Sequence, residues 1–290
     1  MGPSAVRTAG IDHLHLNVYD LTAAIELFTG LFQCQHNIPL YIDSVDGTNS
    51  MNSLGIDVIA PASEDGFYAR MMKKAGGQGM SAAAFYVEDL DQATRHVAST
   101  GLRVISEIGF PEIERQTQFH PKDLFGMSLE LAYLYPDAKQ KMIALREKQA
   151  EQEGTTPTIP PQPGAVPSAG IHHVRLRVPS VEALDIAIQR FESAFECDWE
   201  RMENGRAATS SLDVHLLVSD DGSQGIDGFG MAVPDLEQAV ARAVEIGLRP
   251  VGPPDYLGDR EKAMSLSPED CFGLHLVLVE NDEEREHRHH

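Results

Sequence analysis

Two stretches decide the fold, IDHLHLNVYDLTAAIELFTGLFQCQ at 11–35 and IHHVRLRVPSVEALDIAIQRFESAFECDW at 171–199, because they are two copies of one pattern. Each begins with an alternating strand and continues through a polar helix start into an amphipathic helix. The copies end with Cys34 and Cys197 in matching places, and we place the three extra residues of the second copy before its helix. A repeat at this distance predicts duplicated structural units.

A second pair of stretches matches in the same way, AAFYVEDLDQATRHVASTGLRVIS at 83–106 and FGMAVPDLEQAVARAVEIGLRPVG at 229–252. Asp89 and Asp235 are the expected helix N-caps, and Gly101 and Gly247 are expected to end the helices. Each copy leads to a closing strand, introduced by HPKDLFG at 120–126 and by SPEDCFG at 267–273. The chain therefore reads as four βαβββ modules, two in each half.

A linker separates the two halves. PDAKQKMIALREKQAEQE at 136–153 predicts an exposed charged helix, and GTTPTIPPQPGAVPSAG at 154–170 contains too many prolines to continue a helix or to form a central strand. We therefore expect a first domain over 1–135, a linker over 136–169, a second domain over 170–280 and a charged tail over 281–290.

Composition narrows the function classes. The chain has 290 residues, 44 acidic against 23 basic residues and a net charge of −21, which disfavours nucleic acid as a partner. Three scattered cysteines predict buried thiols in a reducing compartment. No segment resembles a membrane helix or a secretory signal, so we expect a cytoplasmic protein with no membrane partner and a small-molecule substrate. Self-association as a homodimer stays open.

The opening motif DHLHLNVYDL at 12–21 and the closing motif FHPKDLFGMSLEL at 119–131 resemble the vicinal oxygen chelate superfamily. This superfamily includes glyoxalase I, methylmalonyl-CoA epimerase, bleomycin-resistance proteins and extradiol dioxygenases, and the first half looks most like the epimerases. The resemblance implies an α+β fold of tandem domains, in which the four modules form two cup-shaped mixed sheets. It also implies a divalent metal held by side chains of first and last strands.

Carried onto the first half, the resemblance implies His13, Asp57 and Glu130 as metal ligands. Ala82 stands where the epimerases have a second histidine. His15 lies two residues from His13 on the same strand face, so it could supply the missing nitrogen or carry a proton. Asp57, Glu130 and His15 are accordingly the candidate catalytic groups. One imidazole and two carboxylates suit manganese, magnesium or iron better than a structural zinc, but the residue types do not distinguish among Fe, Mn, Co, Ni and Zn.

Carried onto the second half, the resemblance implies His173 and His215 as ligands, whereas Gly228 and Val277 occupy the other two places and cannot bind a metal. If the second module paired with the third, Glu130, His173 and His215 would form a complete set. Contiguous pairing is the default expectation. We expect His36 and His96, which belong to neither set, to lie on the surface.

The leading hypothesis is a metal-dependent isomerase or lyase that acts on a small carbonyl or CoA-linked substrate through metal-stabilised enolate chemistry. The first alternative is an iron-dependent ring-cleaving dioxygenase. The second is a non-catalytic, resistance-type protein that binds a small molecule.

Overall fold

The structure is a computed structural model, and it describes residues 5–43, 46–202, 205–254, 256–257 and 261–281. Residues 282–290 of the expected charged tail lie outside these ranges. None of the helices in the described ranges combines the length and the apolar character needed to cross a membrane.

One mixed sheet of eight strands is built from the first half of the chain, in the order β3-β4-β5-β1-β6-β9-β8-β7. Within it, β1 runs parallel to β5, and β6 runs parallel to β9. The first half of the chain contains the elements β1 (Ile11–Asn17), α1 (Leu21–Leu31), β2 (His36–Asn37), β3 (Leu40–Ile42), β4 (Gly47–Met51), β5 (Ile56–Pro61), α2 (Phe67–Ala75), β6 (Gly79–Tyr86), α3 (Leu90–Ser99), β7 (Val104–Ile108), β8 (Glu114–Phe119) and β9 (Ser128–Leu134).

A second mixed sheet of eight strands repeats this topology, in the order β12-β13-β14-β11-β15-β18-β17-β16. The four βαβββ modules and the two curled mixed sheets of an α+β fold are therefore confirmed, whereas the exact domain boundaries stay predictions. The rest of the chain contains α4 (Ala138–Glu153), β10 (Thr158–Ile159), β11 (Gly170–Val178), α5 (Val181–Ala194), β12 (Trp199–Arg201), β13 (Ala207–Ser210), β14 (Val214–Val218), β15 (Gly225–Val233), α6 (Leu236–Glu245), β16 (Pro250–Gly252), β17 (Ala263–Leu266) and β18 (His275–Glu280).

The helix caps follow the sequence. Asp89 and Asp235 accept hydrogen bonds from the third backbone N–H beyond them, as N-caps do. Gly101 and Gly247 adopt positive φ after the two helices.

The placement of the three extra residues in the second copy was wrong. Both α1 and α5 begin ten residues into their repeat, and α5 has 14 residues against 11 in α1, so the extra residues lengthen the helix.

Cα proximity divides the chain into two compact units. The described residues of 5–12, 81–138 and 173–227 form the first unit. In it α3 packs on α5, and the ring centroids of Phe85 and Phe195 lie 5.5 Å apart.

The described residues of 13–80, 139–172 and 228–281 form the second unit. In it α1 packs on α6, and Arg242 donates a buried hydrogen bond of 2.8 Å from Nε to the carbonyl of Gly30.

The linker consists of a charged helix and an ordered strap. Helix α4 carries exposed Ile143 and Leu145 among its charges, as its sequence predicts. The proline-rich segment after it follows the first module closely, because β10 pairs antiparallel with β2 and the backbone of Val166 bonds to Leu31 and Gln33. Proline tolerates such edge positions because the strap needs few donors.

The cysteines carry free thiols. Cys34 and Cys271 are buried, and burial raises the pKa of each thiol to about 12. Cys197 is half-buried.

His36 and His96 are not surface residues, contrary to expectation. His96 is buried on α3 with Nε2 2.9 Å from the carbonyl of Ser193. His36 is fully buried because β2 lies beneath the strap. Its Nδ1 lies 3.1 Å from the hydroxyl of Ser50, which itself donates to the carbonyl of Asn37. Neutral His36 therefore donates to Ser50 through Nδ1.

We predict that His36 makes the protein acid-sensitive. Burial lowers its pKa to about 4, although a hydrogen bond with the backbone of Ser50 opposes the shift. The unfolded chain therefore binds a proton before the folded one does, and the contribution of His36, at most about 3 kcal/mol, is lost as pH falls from about 6.5 to about 4. Chemical denaturation at several pH values should show a shallower slope for His36→Gln than for the wild type in this window. Equal slopes would contradict the prediction.

Candidate metal site

Strand β1 presents two histidines on one face. Leu14 and Leu16 occupy the alternate positions and are fully buried on the opposite face. His13 and His15 are themselves buried, with stacked rings and their Nε2 atoms 3.0 Å apart. The D-H-L-H-L sequence of β1 thus places two imidazole side chains next to each other on one face of the sheet.

Strand β9 supplies a carboxylate in the same manner. Glu130 alternates with buried Leu129 and Leu131 and is 1% exposed. Gln118, its partner on β8, donates from Nε2 to Glu130 Oε1 over 2.9 Å. The hydroxyl of Ser106 donates to Gln118 Oε1 over 2.6 Å, which fixes the orientation of the amide. Glu130 is therefore held in place by neighbouring side chains.

His13, His15 and Glu130 form the one group of three potential ligands found among the described residues, and their ligand atoms all lie within 4.8 Å of one another. His13 and His15 lie on β1 and Glu130 lies on β9, and one strand, β6, separates β1 from β9 in the first sheet. Two imidazole nitrogens and a carboxylate oxygen that converge in a buried place are the donor set of a divalent transition metal. The residues present therefore fit the metal that the fold implies.

Burial keeps His15 in its ligating form. Burial and the neighbouring imidazole of His13 lower the pKa of His15 to about 4, although Asp57 opposes the shift. His15 is thus neutral near pH 7, which is the protonation state in which an imidazole binds a metal.

Asp57 lies beside this group of three. It is the register partner of His15 on β5, and its Oδ2 lies 4.0 Å from His15 Nε2. Asn49 donates to the carboxylate from Nδ2 over 3.3 Å. The structure thus brings His15 into the group where we had expected Asp57, and the role of Asp57 as a ligand stays a prediction. Ala82 is buried on β6 and adds no donor.

The second sheet brings its two histidines together without a carboxylate ligand. The rings of His173 and His215 stack with centroids 4.1 Å apart and planes inclined by 5°. No third ligand completes a group of this kind in the described part of the second sheet. Gly228 is required for packing, since a Cβ there would lie 2.3 Å from the carbonyl oxygen of His275. Ligand roles for His173 and His215 stay predictions.

The swapped pairing of modules was wrong. Glu130 lies on β9 of the first sheet, whereas His173 and His215 lie on β11 and β14 of the second. Contiguous modules share a sheet because the β1–β6 and β11–β15 neighbours join the two modules of each half.

Sequence reasoning missed an ion-pair network on the second sheet. Arg175 Nη2 and Arg177 Nε donate to the same oxygen of Asp227, over 3.0 Å and 2.7 Å. The signal was present in the R-L-R alternation of β11, which places both arginines on the face of His173.

Solved structures overlay on nearly the whole chain. A Mn(II)-bound glyoxalase from Novosphingobium aromaticivorans matches with a TM-score of 0.63 and 11% identity, over 97% of this chain and 84% of its own. A catechol 2,3-dioxygenase matches with a TM-score of 0.62 and 13% identity, over 94% of this chain and 93% of its own.

In two further overlays, one of the two proteins is matched over only about half of its length. A xylose isomerase-like TIM barrel/4-hydroxyphenylpyruvate dioxygenase fusion protein matches with a TM-score of 0.66 and 15% identity over 96% of this chain, which spans 50% of the fusion protein. A methylmalonyl-CoA epimerase from Mycobacterium tuberculosis is 26% identical over 47% of this chain and 95% of its own, with a TM-score of 0.41.

No protein-family model matches the sequence, and no curated protein matches it either. The likeness lies in the fold, in the repeated topology of the two sheets and in the near-complete overlays. The chain has the vicinal oxygen chelate fold, with four βαβββ modules arranged as two curled eight-stranded sheets.

Proposed function

We propose that this protein is a metal-dependent isomerase or lyase whose centre is formed by His13, His15 and Glu130. The observation that carries the proposal is the convergence of two buried imidazoles and one buried carboxylate within 4.8 Å. Near-complete overlays on a Mn(II)-bound glyoxalase and a catechol dioxygenase are consistent with a metal site in this fold.

The substrate we propose is a small neutral carbonyl compound. Glu130 and Asp57 are the two buried carboxylates that a divalent cation would compensate at this site. The strand positions that share the face of these groups include no Lys or Arg, which disfavours the multiply charged phosphates of a CoA-linked substrate. By alternation and register, these positions include His13, His15, Asn17, Asn49, Met51, Asp57, Ile59, Ala82, Ala84, Tyr86, Glu114, Gln116, Gln118, Ser128, Glu130 and Ala132.

Asp57 is the proposed proton carrier. A bound divalent cation would supply Lewis-acid polarisation of the substrate carbonyl. Asp57 stands next to the ligand group, and Asn49 orients its carboxylate. It would take the proton from the carbon α to that carbonyl and return it to the opposite face or to the neighbouring carbon, which restores its own starting state. His13, His15 and Glu130 would hold the cation throughout.

Ring cleavage by an iron-dependent dioxygenase is the second candidate. Two histidines and one carboxylate are the ligand set of many non-haem iron oxygenases, and His13, His15 and Glu130 supply that set. A ring-cleaving reaction gives Asp57 no proton to carry between carbons, so the buried carboxylate beside the site favours the isomerase or lyase. Ferrous protein that consumes oxygen with catechol would reverse this order.

We predict that the full-length protein binds about one equivalent of a divalent metal, with its tail residues His287, His289 and His290 replaced by serine to remove adventitious binding. In this background Glu130→Gln and His13→Ala should lose most of the metal, as measured by elemental analysis after dialysis. His173→Ala is the matched control, because it removes a buried histidine from the corresponding strand of the second sheet, and it should keep the metal. Retention by His13→Ala, or no metal in any sample after reconstitution, would overturn the site and favour the resistance-type binding protein.

We predict that Asp57→Asn separates metal binding from proton transfer. The amide keeps the size of the carboxylate but cannot accept the proton. The metal-loaded wild type in D₂O should exchange the α-hydrogens of neutral hydroxyketones such as hydroxyacetone and acetoin, followed by proton NMR. Asp57→Asn should keep its metal and lose this exchange by at least about a hundredfold. Loss of metal in this variant would instead make Asp57 a ligand.

We predict that Gln118→Ala weakens metal binding by about tenfold to a hundredfold, because the amide that orients Glu130 is lost. Gln116→Ala is the matched control, since Gln116 lies two residues away on the same strand and pairs with Ala132. Competition with a chromogenic chelator measures both affinities. Equal affinities for the two variants would show that Gln118 does not act through Glu130.

A further inference from the structure

Asn17 is the last residue of β1 and extends the row of polar side chains at the candidate metal site. It lies two residues beyond His15, so strand alternation places it on the face of His13 and His15, about 7 Å further along the strand. Leu16, between His15 and Asn17, is buried on the opposite face. A small molecule bound beside the two imidazoles therefore has Asn17 as its next neighbour along β1.

The amide of Asn17 is buried, and one of its two polar atoms has a partner. The residue is 3% exposed. Its Nδ2 atom donates to the carbonyl of Gly79, at the start of β6, over 3.4 Å. Because a carbonyl oxygen only accepts hydrogen bonds, this contact directs Nδ2 toward Gly79 and Oδ1 away from it. None of the described residues donates a hydrogen bond to Oδ1.

Open space adjoins this amide. A Cβ added to Gly79 would meet no atom of the described chain within 4 Å. The chain reaches the surface shortly after Asn17, since Tyr19 is 61% exposed. Asn17 thus lies between the buried imidazoles and the surface at this end of β1, where we expect a small molecule to enter.

The chemistry of Oδ1 limits what can bind there. A buried acceptor that lacks a donor destabilises the folded protein, whereas a leucine of similar size would fill the position without that cost. A ligand that satisfies Oδ1 must bring an O–H or N–H group. The divalent cation of the proposed function would repel an ammonium group, so a neutral hydroxyl is the donor that suits this place.

We propose that Asn17 selects hydroxycarbonyl substrates by accepting a hydrogen bond from the substrate hydroxyl through Oδ1. This inference rests on the proposed function, because it takes the substrate carbonyl to be bound at the metal centre beside His15. Asn17 determines specificity and binds no metal. A site that hydrogen-bonds a substrate hydroxyl rejects analogues that lack the hydroxyl, because its own polar group is then left unpaired.

Ligand-observed NMR titration of the zinc-loaded full-length protein, with the three tail histidines replaced by serine as above, tests this inference. Hydroxyacetone is compared with methoxyacetone, which keeps both oxygens but has no hydroxyl donor. The wild type should bind hydroxyacetone at least about tenfold more tightly. Asn17→Leu removes the acceptor and keeps a similar volume, so it should reduce this preference to about threefold or less. A preference caused by the bulk of the methoxy group would persist in Asn17→Leu and would overturn the inference.

Ile59→Val is the matched control. Ile59 is the register partner of Asn17 on β5, and the change removes one methyl group without altering any hydrogen-bonding group. This variant should keep the preference of the wild type. If Asn17→Leu loses its circular dichroism spectrum, Asn17→Val carries the test, because valine also lacks an acceptor and suits a strand. Loss of zinc from the folded variant, measured by elemental analysis, would make Asn17 part of the metal centre and contradict the inference.

The outcomes separate this inference from the proposed function. Exchange of α-hydrogens together with equal binding of the two ketones would retain the isomerase or lyase and overturn the role of Asn17. A preference for hydroxyacetone that depends on Asn17, without any exchange, would support the role of Asn17 and contradict the isomerase or lyase. No binding of either ketone by the wild type would overturn the inference.

Discussion

Parallel pairing between the first and last strands of each module is the constraint on which the structure depends. Residues on both faces of β1 are buried, so its apolar side chains pack on one face and each polar group on the other face needs a partner. In β1 this alternation buries Leu14 and Leu16 and aligns His13 and His15. The register then fixes which groups meet, as His15 meets Asp57. A one-residue slip would exchange the two faces and abolish both the core and the site.

The same constraint explains how the duplicated halves could diverge without loss of the fold. The apolar face is preserved, because Val174 and Leu176 are fully buried where Leu14 and Leu16 lie in the first copy. Side chains on the polar face contribute little to packing between the strands, so their charge can change while the sheet stays intact.

Sequence patterns predicted what depends on local chemistry. Helix caps such as Asp89 and strand alternation around Glu130 can be found from spacing alone, and the four modules follow from them. The burial of His36 could not be predicted, because it arises from β10, a strand in the distant linker. The sequence also could not predict which of His15 and Asp57 would lie within ligand distance of His13 and Glu130. Both project from neighbouring strands at the same register level, and side-chain rotamers decide which one meets Glu130.

The electrostatics of buried sites explains why the corresponding faces of the two sheets carry such different residues. A buried carboxylate such as Glu130 is unfavourable without a compensating partner, and a cation supplies one. A buried guanidinium has the same need with the opposite sign, and Asp227 meets it for Arg175 while serving Arg177 as well. Because each sheet keeps its own register, the two copies of the module pair can carry different buried charges: His15 and Asp57 pair in the first sheet at the positions where Arg175 and His215 pair in the second.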